Sequence, residues 1–306
     1  MRFRSEGLPP KYMEKCNICP RGCGVERNIK AGFCGEKATV RLARAALHYW
    51  EEPCISGEKG SGTVFFSGCN LRCVYCQNYG ISRGEVGREV TEERLCEIFF
   101  ELKAQGANNI NLVTPTHFSE PIKRAVAVAK EKGLGLPVVW NTGGYEKAEM
   151  IASLDKTVDI YLTDFKYMSS SLAEKYSAAR DYPEFAKSAL AEMVRTKGRP
   201  VTENGLMKSG VIVRHLVLPG CTDDSIRIMD YLHSEYGDDI IISIMSQFTP
   251  DKARLAGYPE LCRRLTKYEY SKVVDYADKI GISLAYVQEG SAAKESFIPD
   301  FDYTGV

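Results

Sequence analysis

The sequence predicts an α/β domain organised around parallel strands. Three observations carry that prediction: short apolar runs recur from Thr63 to Gln288, amphipathic stretches separate them, and most of the runs are apolar throughout. Strands covered on both faces by crossover helices read this way, whereas half-exposed antiparallel strands alternate. A chain of 306 residues, 44% of them hydrophobic, suits one large domain with a small appendage and a substantial core. Lys plus Arg and Asp plus Glu balance at 40 each, so the chain as a whole has no electrostatic drive toward nucleic acid or membrane.

Taken in order, the first stretch, MRFRSEGLPPKYMEK, has no apolar export segment, and nothing later approaches the roughly 20 apolar residues that span a bilayer. A cytoplasmic location is expected. Up to about residue 55 cysteines crowd between Gly and Pro with little periodicity, which reads as a small metal-binding module. The candidate strands follow as TVFFS (63–67), INLVT (110–114), VVWN (138–141), VDIYLT (158–163), VIVRHLVL (211–218), IIISIM (240–245) and ISLAYVQ (282–288). Between the first two, Leu95, Ile98, Phe99 and Leu102 recur at helical spacing and Gly106 closes the helix. Thr266 and Glu269 make a capping box ahead of Val273, Val274, Ala277 and Ile280. Such strand–helix units lie open as a doubly wound sheet or curl into a barrel, and in both cases ligands bind beyond the carboxyl ends of the strands. The turn-rich segment 249–265 is expected to serve as a lid or docking loop.

Eleven cysteines in a chain expected to be cytoplasmic read as metal ligands before disulfides. Cys69, Cys73 and Cys76 form a C-x3-C-x2-C loop directly after the first apolar run. Iron–sulfur clusters normally take four protein thiolates, so three in a compact loop leave one iron for an outside ligand, the mark of a catalytic site. A zinc knuckle short of one ligand and three ordinary buried thiols are the plainer alternatives. Cys16, Cys19, Cys23 and Cys34 follow C-x2-C-x3-C-x10-C, a complete set for either zinc or an auxiliary [4Fe-4S] cluster, which could also simply staple a small module. Cys54 reads as a spare ligand or a substrate-facing thiol, and Cys96, Cys221 and Cys262 as ordinary thiols.

The loop SGCNLRCVYCQN resembles the cluster loop of the radical S-adenosylmethionine (SAM) superfamily, where an aromatic residue such as Tyr75 commonly precedes the last cysteine. The resemblance implies a [4Fe-4S] cluster whose open iron takes the amino and carboxyl groups of SAM, and it selects a partial (β/α)6 TIM-like barrel. The chain then divides into a Cys-rich module at 1–55, a radical SAM barrel at 56–290 and a C-terminal tail at 291–306. Where many radical SAM enzymes carry Gly-Gly-Glu to receive the SAM amino group, this chain has Thr114-Pro115-Thr116-His117, so the Thr114 and Thr116 hydroxyls or backbone carbonyls are the substitutes. His117 is either a binding residue or a structural hydrogen bonder. Asn141, with the glycines that follow it, lets a ligand approach the backbone, and Asp164 with Lys166 sets a carboxylate for ribose beside a cation for the SAM carboxylate. Arg214, inside an apolar strand, needs an anionic partner, either the SAM carboxylate or a protein carboxylate. Gln247 stands where a Tyr-His pair is more usual and becomes the nucleoside contact.

Asp164, Lys166, Arg214 and the turn Pro219, Gly220, Thr222, Asp223 are similar to glycyl-radical activating enzymes of the pyruvate formate-lyase activating type. CNICPRGCGV, WEEPCISG, NLVTPTHF and DFKY extend the likeness over nearly the full length, to the branch labelled pyruvate formate-lyase activating enzyme-like. It implies reductive cleavage of SAM, a protein or peptide substrate, glycyl-radical formation on a partner enzyme first, and a one-electron donor such as flavodoxin or ferredoxin. The alternatives are a peptide-modifying maturase and, from another class, a non-catalytic metal or iron–sulfur binding module.

Overall fold

The computed structural model describes residues 15–288 and 298–306. In chain order it runs β1 (Arg41–His48), α1 (Pro53–Ser56), β2 (Ser61–Phe66), α2 (Tyr79–Ser82), β3 (Arg88–Glu89), α3 (Glu92–Ala104), β4 (Ile110–Val113) and α4 (Ser119–Glu131). It continues β5 (Val138–Thr142), α5 (Ala148–Ala152), β6 (Ile160–Asp164), α6 (Ser170–Ser177), α7 (Tyr182–Lys197), β7 (Val201–Glu203), β8 (Leu206–Leu216), α8 (Thr222–Tyr236), β9 (Ile241–Met245), α9 (Lys267–Lys279) and β10 (Ala285–Val287).

One sheet runs β10-β9-β8-β6-β5-β4-β2-β1-β3, with β7 paired to β8 at its side. All pairings from β2 to β10 along that order are parallel, whereas β1 runs antiparallel to both β2 and β3. The sheet stays open at β10 and β3, a partial barrel of the expected class. Each of the seven apolar runs holds or overlaps one parallel strand; β2, β4 and β5 are buried at every residue because helices cover their outer face. The predicted helix forms as α3, capped by the Thr91 hydroxyl and burying Leu95, Ile98, Phe99 and Leu102. The Thr266–Glu269 capping box starts α9.

Three strands, β1, β3 and β7, escape the sequence reading. In β1 the arginines at 41 and 44 hide the apolar pattern; Arg41 is neutralised by the buried Glu36 at 2.9 Å and Arg44 by Asp302 at 2.7 Å. β8 begins at Leu206, earlier than the apolar run, because β7 pairs back on it through Asn204-Gly205, both at positive φ, as a two-residue hairpin turn needs.

α1 plugs the barrel. Its Cys54 and Ile55 pack among Val139, Ile160, Leu162, Met207 and Ile212 toward the amino ends of the strands, leaving the carboxyl ends open. The described part of the tail returns to β1, where the Ala45 amide donates to Thr304 O at 2.8 Å and the Tyr303 amide to Ala43 O at 3.1 Å. Residues 291–297 of the expected tail lie outside the described residues. Among the described residues no helix is long and apolar enough to cross a membrane.

Candidate active site

β2 delivers the chain to the barrel mouth, and the loop that follows folds back on itself: the Cys76 amide donates to Cys73 O at 3.2 Å, and Arg72 takes a left-handed φ of 61°. Gly68, just before the loop, sits at φ 82°, where a Cβ would lie 2.6 Å from Cys34 O. Cys69, Cys73 and Cys76 all line one cavity of about 440 Å³, and none of the other described cysteines does. Donors point at these sulfurs, among them the Leu71 amide at Cys69 Sγ, 3.4 Å, and the Ser177 hydroxyl at Cys73 Sγ, 3.0 Å. Burial pushes the free Cys69 thiol up to about 12 and raises Cys76 as well. Three soft sulfur donors on one cavity wall, with no fourth within it, fit an iron–sulfur cluster that has one iron open.

Thr114, Asn141, Asp164, Lys166, Arg214 and Gln247 line the same cavity, brought there from the ends of β4, β5, β6, β8 and β9. Thr114 holds a φ of 58°, uncommon for a β-branched residue, with its amide on Asn141 O at 2.8 Å. Gln247 receives the Gln77 side chain on its carbonyl at 2.7 Å. All three guanidinium nitrogens of Arg214 bond to protein: Nε donates to Asp164 at 2.9 Å, Nη1 to Glu51 at 3.1 Å and Nη2 to Asn141 Oδ1 at 2.6 Å. Of the two anionic partners expected for Arg214, protein carboxylates are the ones present. Lys166 donates to the other Asp164 oxygen at 2.5 Å. Burial opposes ionisation of Asp164, but Lys166 and Arg214 outweigh it and hold the carboxyl below its ordinary range. The same Asp164 holds the Lys166 ammonium above its own range against burial.

Glu51 and Glu52, on the segment entering α1, were not singled out by the sequence reading. Glu51 accepts from Asn111 at 2.9 Å and Asn141 at 3.2 Å besides Arg214. The signal was there in part: a buried arginine demanded an acid, and WEEP offered two.

His117 does not reach the cavity. It is buried, its Nε2 donates to Ser67 O at 2.6 Å, and burial with the nearby Arg27 lowers its pKa to about 3, so it is a neutral structural hydrogen bonder. Beneath the rim lies Glu146, fully buried, accepting from Thr116 at 2.9 Å and from Thr142. Burial pushes Glu146 up to about 7 despite those hydroxyls. Because the folded value exceeds the unfolded one, the protein keeps this proton while the unfolded chain loses it, and stability falls as pH rises from about 4.5 to about 7. Glu146→Gln is expected to gain about 3 kcal/mol relative to the native protein between pH 4.5 and pH 8, read from urea unfolding at the two pH values. A pH-independent difference would contradict it.

The four N-terminal cysteines lie against the three-cysteine loop. Cys19 and Cys34 are buried, Cys16 and Cys23 partly so, and Cys34 O accepts the Cys69 amide at 3.1 Å. Arg21 clamps the module down, donating to Asn70 O at 2.8 Å and Ser177 O at 2.9 Å. Among the described residues no three His, Cys, Asp or Glu side chains are grouped as a single metal ion would need them. Cys54 is buried in the barrel plug beside Tyr286. Segment 249–265 lies over the three-cysteine loop, with Arg254 donating to Cys76 O at 3.2 Å and Glu260 bound to Tyr176 and Lys175, both at 2.6 Å.

A family model described as the Radical SAM superfamily matches residues 63–232, from β2 into α8. Two proteins of Methanocaldococcus jannaschii, named only as uncharacterized proteins MJ0674 and MJ0808, are similar to the chain. The first is 30% identical over 296 residues, covering 91% of this chain and 79% of its own. The second is 24% identical over 257 residues, covering 78% and 71%. Among solved structures, Streptococcus suis SuiB bound to its precursor peptide SuiA superposes with a TM-score of 0.49 at 14% identity, over 72% of this chain and 46% of SuiB, so the chain spans under half of that protein.

Proposed function

The chain belongs to the radical SAM superfamily, and we propose that Cys69, Cys73 and Cys76 hold a [4Fe-4S] cluster at which SAM is bound and reductively cleaved. A cluster bound there would supply one-electron reduction of SAM, with the electron coming from a donor such as flavodoxin or ferredoxin, and the cleavage would give methionine and a 5'-deoxyadenosyl radical able to take hydrogen from substrate. The observation that carries this reading is the sharing of one cavity by the three thiols and the polar residues of five strand ends.

The chain's own residues have distinct tasks. Lys166 offers a cation to the methionyl carboxylate and Asp164 acceptor oxygens to the ribose hydroxyls. Arg214, tied to Asp164, Glu51 and Asn141, is a positioning residue that fixes Asp164 in place. Asn141, Thr114 and Gln247 supply further polar contacts to SAM. Segment 249–265, covering Cys76, keeps water from the loop. For Cys16, Cys19, Cys23 and Cys34 we retain a second metal, zinc or an auxiliary [4Fe-4S] cluster, as part of the proposal.

Ser177 donates to Cys73 Sγ and is itself hydrogen-bonded to Tyr167, 2.8 Å away, whose hydroxyl meets Tyr75 at 2.7 Å. Hydrogen bonds to cluster sulfurs favour the more negative, reduced state. Ser177→Ala is expected to shift the midpoint potential to a lower value in an EPR-monitored redox titration; an unshifted potential would show that this bond does not tune the cluster.

The substrate in this reading is a protein or peptide, with glycyl-radical formation on a partner enzyme first and peptide maturation second. A stable backbone radical on a large partner marks the former; a mass change on a short peptide marks the latter. The reading as a whole is tested by anaerobic reconstitution with iron and sulfide, then dithionite and SAM. Appearance of 5'-deoxyadenosine supports it, and a fully loaded protein that binds SAM yet leaves it intact in the presence of reductant opposes it.

A further inference from the structure

We infer that the substrate presents a cationic group on an aliphatic stem, an alkylammonium or alkylguanidinium, to Glu52 at the inner end of the cavity. The inference rests on reading this cavity as the place where hydrogen is taken.

Three carboxylates and two cations meet in the barrel interior. Arg214 pairs with Asp164 at 2.9 Å and with Glu51 at 3.1 Å, and Lys166 pairs with Asp164 at 2.5 Å. Glu52 is left over. It lines the cavity, is only 8% exposed, and its Oε2 is buried with no hydrogen-bond partner. Ser243 is its side-chain hydrogen-bonding neighbour. Arg214 attracts Glu52 but makes its hydrogen bonds elsewhere, with Nε, Nη1 and Nη2 on Asp164, Glu51 and Asn141. His48 lines the cavity too, yet burial and Arg44 lower its pKa to about 4, so it brings no charge. Burial raises the Glu52 pKa because an unpaired buried carboxylate is costly, and an incoming cation relieves that cost by favouring the ionised form and forming a charge-assisted hydrogen bond with it.

The backbone that carries Glu52 is also held in place beforehand, through its main-chain carbonyl. The Ile55 and Ser56 amides both donate to Glu52 O, at 2.8 and 3.0 Å, and the next residue, Pro53, opens the plug helix. Ser243 pairs in register with Arg214, deeper along the strand than Met245 and Gln247 at the mouth. The cavity walls include Phe65, Val113, Leu216 and Met245, apolar surface suited to a hydrocarbon stem whose head reaches Glu52.

The test uses the reconstituted full chain with SAM bound and no reductant, so that nothing is cleaved. n-Butylammonium and its neutral counterpart 1-butanol are titrated by calorimetry. The ammonium is expected to bind about tenfold more tightly than the alcohol, and Glu52→Gln to erase that preference while SAM affinity stays as in the native protein. Ser243→Ala, which keeps the carboxylate, should retain a preference for the cation and guards against a folding artefact. Equal binding of both probes, binding of neither, a preference surviving in Glu52→Gln, or loss of SAM binding in that variant would each overturn the inference. Because no turnover is involved, its failure leaves SAM cleavage untouched, and failure of cleavage leaves this binding measurable.

Discussion

Cys73→Ala protein, reconstituted without oxygen, is expected to form no 5'-deoxyadenosine above background, a loss of more than about 10³-fold. The reason is geometric. Cys73 sits between Cys69 and Cys76 on one wall, and no other described cysteine lines the cavity to take its place. Two sulfurs would then have to hold what three hold, and the Ser177 hydroxyl would lose its acceptor. Iron content per chain, read beside the product assay, should fall with it. Cys96→Ala, buried in a helix away from the cavity, serves as the contrast and should keep both iron and product. Substantial product from Cys73→Ala would mean that the loop is not the cluster site.

The second large effect is expected at Arg214. Arg214→Met keeps much of the volume and removes the charge that Asp164, Glu51 and Asn141 share. Breaking a buried pair by deleting one partner leaves uncompensated charge and typically costs about 3–5 kcal/mol, which should appear as a fall in the denaturant midpoint. The sign of the pH dependence follows from Asp164. Its carboxyl is held below the ordinary range by Lys166 and Arg214, so the native stabilisation is present above the unfolded value of 3.8 and is lost as pH falls through the folded one. The deficit of Arg214→Met should therefore be widest near neutral pH and narrow as the medium is acidified. Arg214→Lys, with charge but no fork, should recover part of the stability and less of the SAM affinity. An Arg214→Met protein as stable as the native one would show that the buried network is not structural.

The parts of this molecule that local spacing determines were open to reading from the chain. The parallel strands fall on apolar runs because helices cover them outside and the plug or cavity lies within. The three-cysteine loop is equally local, eight residues from Cys69 to Cys76 following the end of one strand. What escaped depends on partners far away in the chain. β1 looks polar until Glu36 and Asp302 are seen to neutralise its arginines. Glu51 meets Arg214 across 163 positions, so neither residue alone announces the other. Glu146 gave no pattern at all, since only folding brings the Thr116 and Thr142 hydroxyls to it. The Asn204-Gly205 hairpin was a local signal passed over.

The open iron is the central claim, and electron paramagnetic resonance of the reduced, reconstituted protein addresses it most directly. Spectra are recorded with and without SAM, before any substrate is supplied. A clear change in the reduced-cluster signal on adding SAM, absent from Cys73→Ala, is the predicted result. A fully loaded native cluster whose spectrum is the same with and without saturating SAM would contradict it.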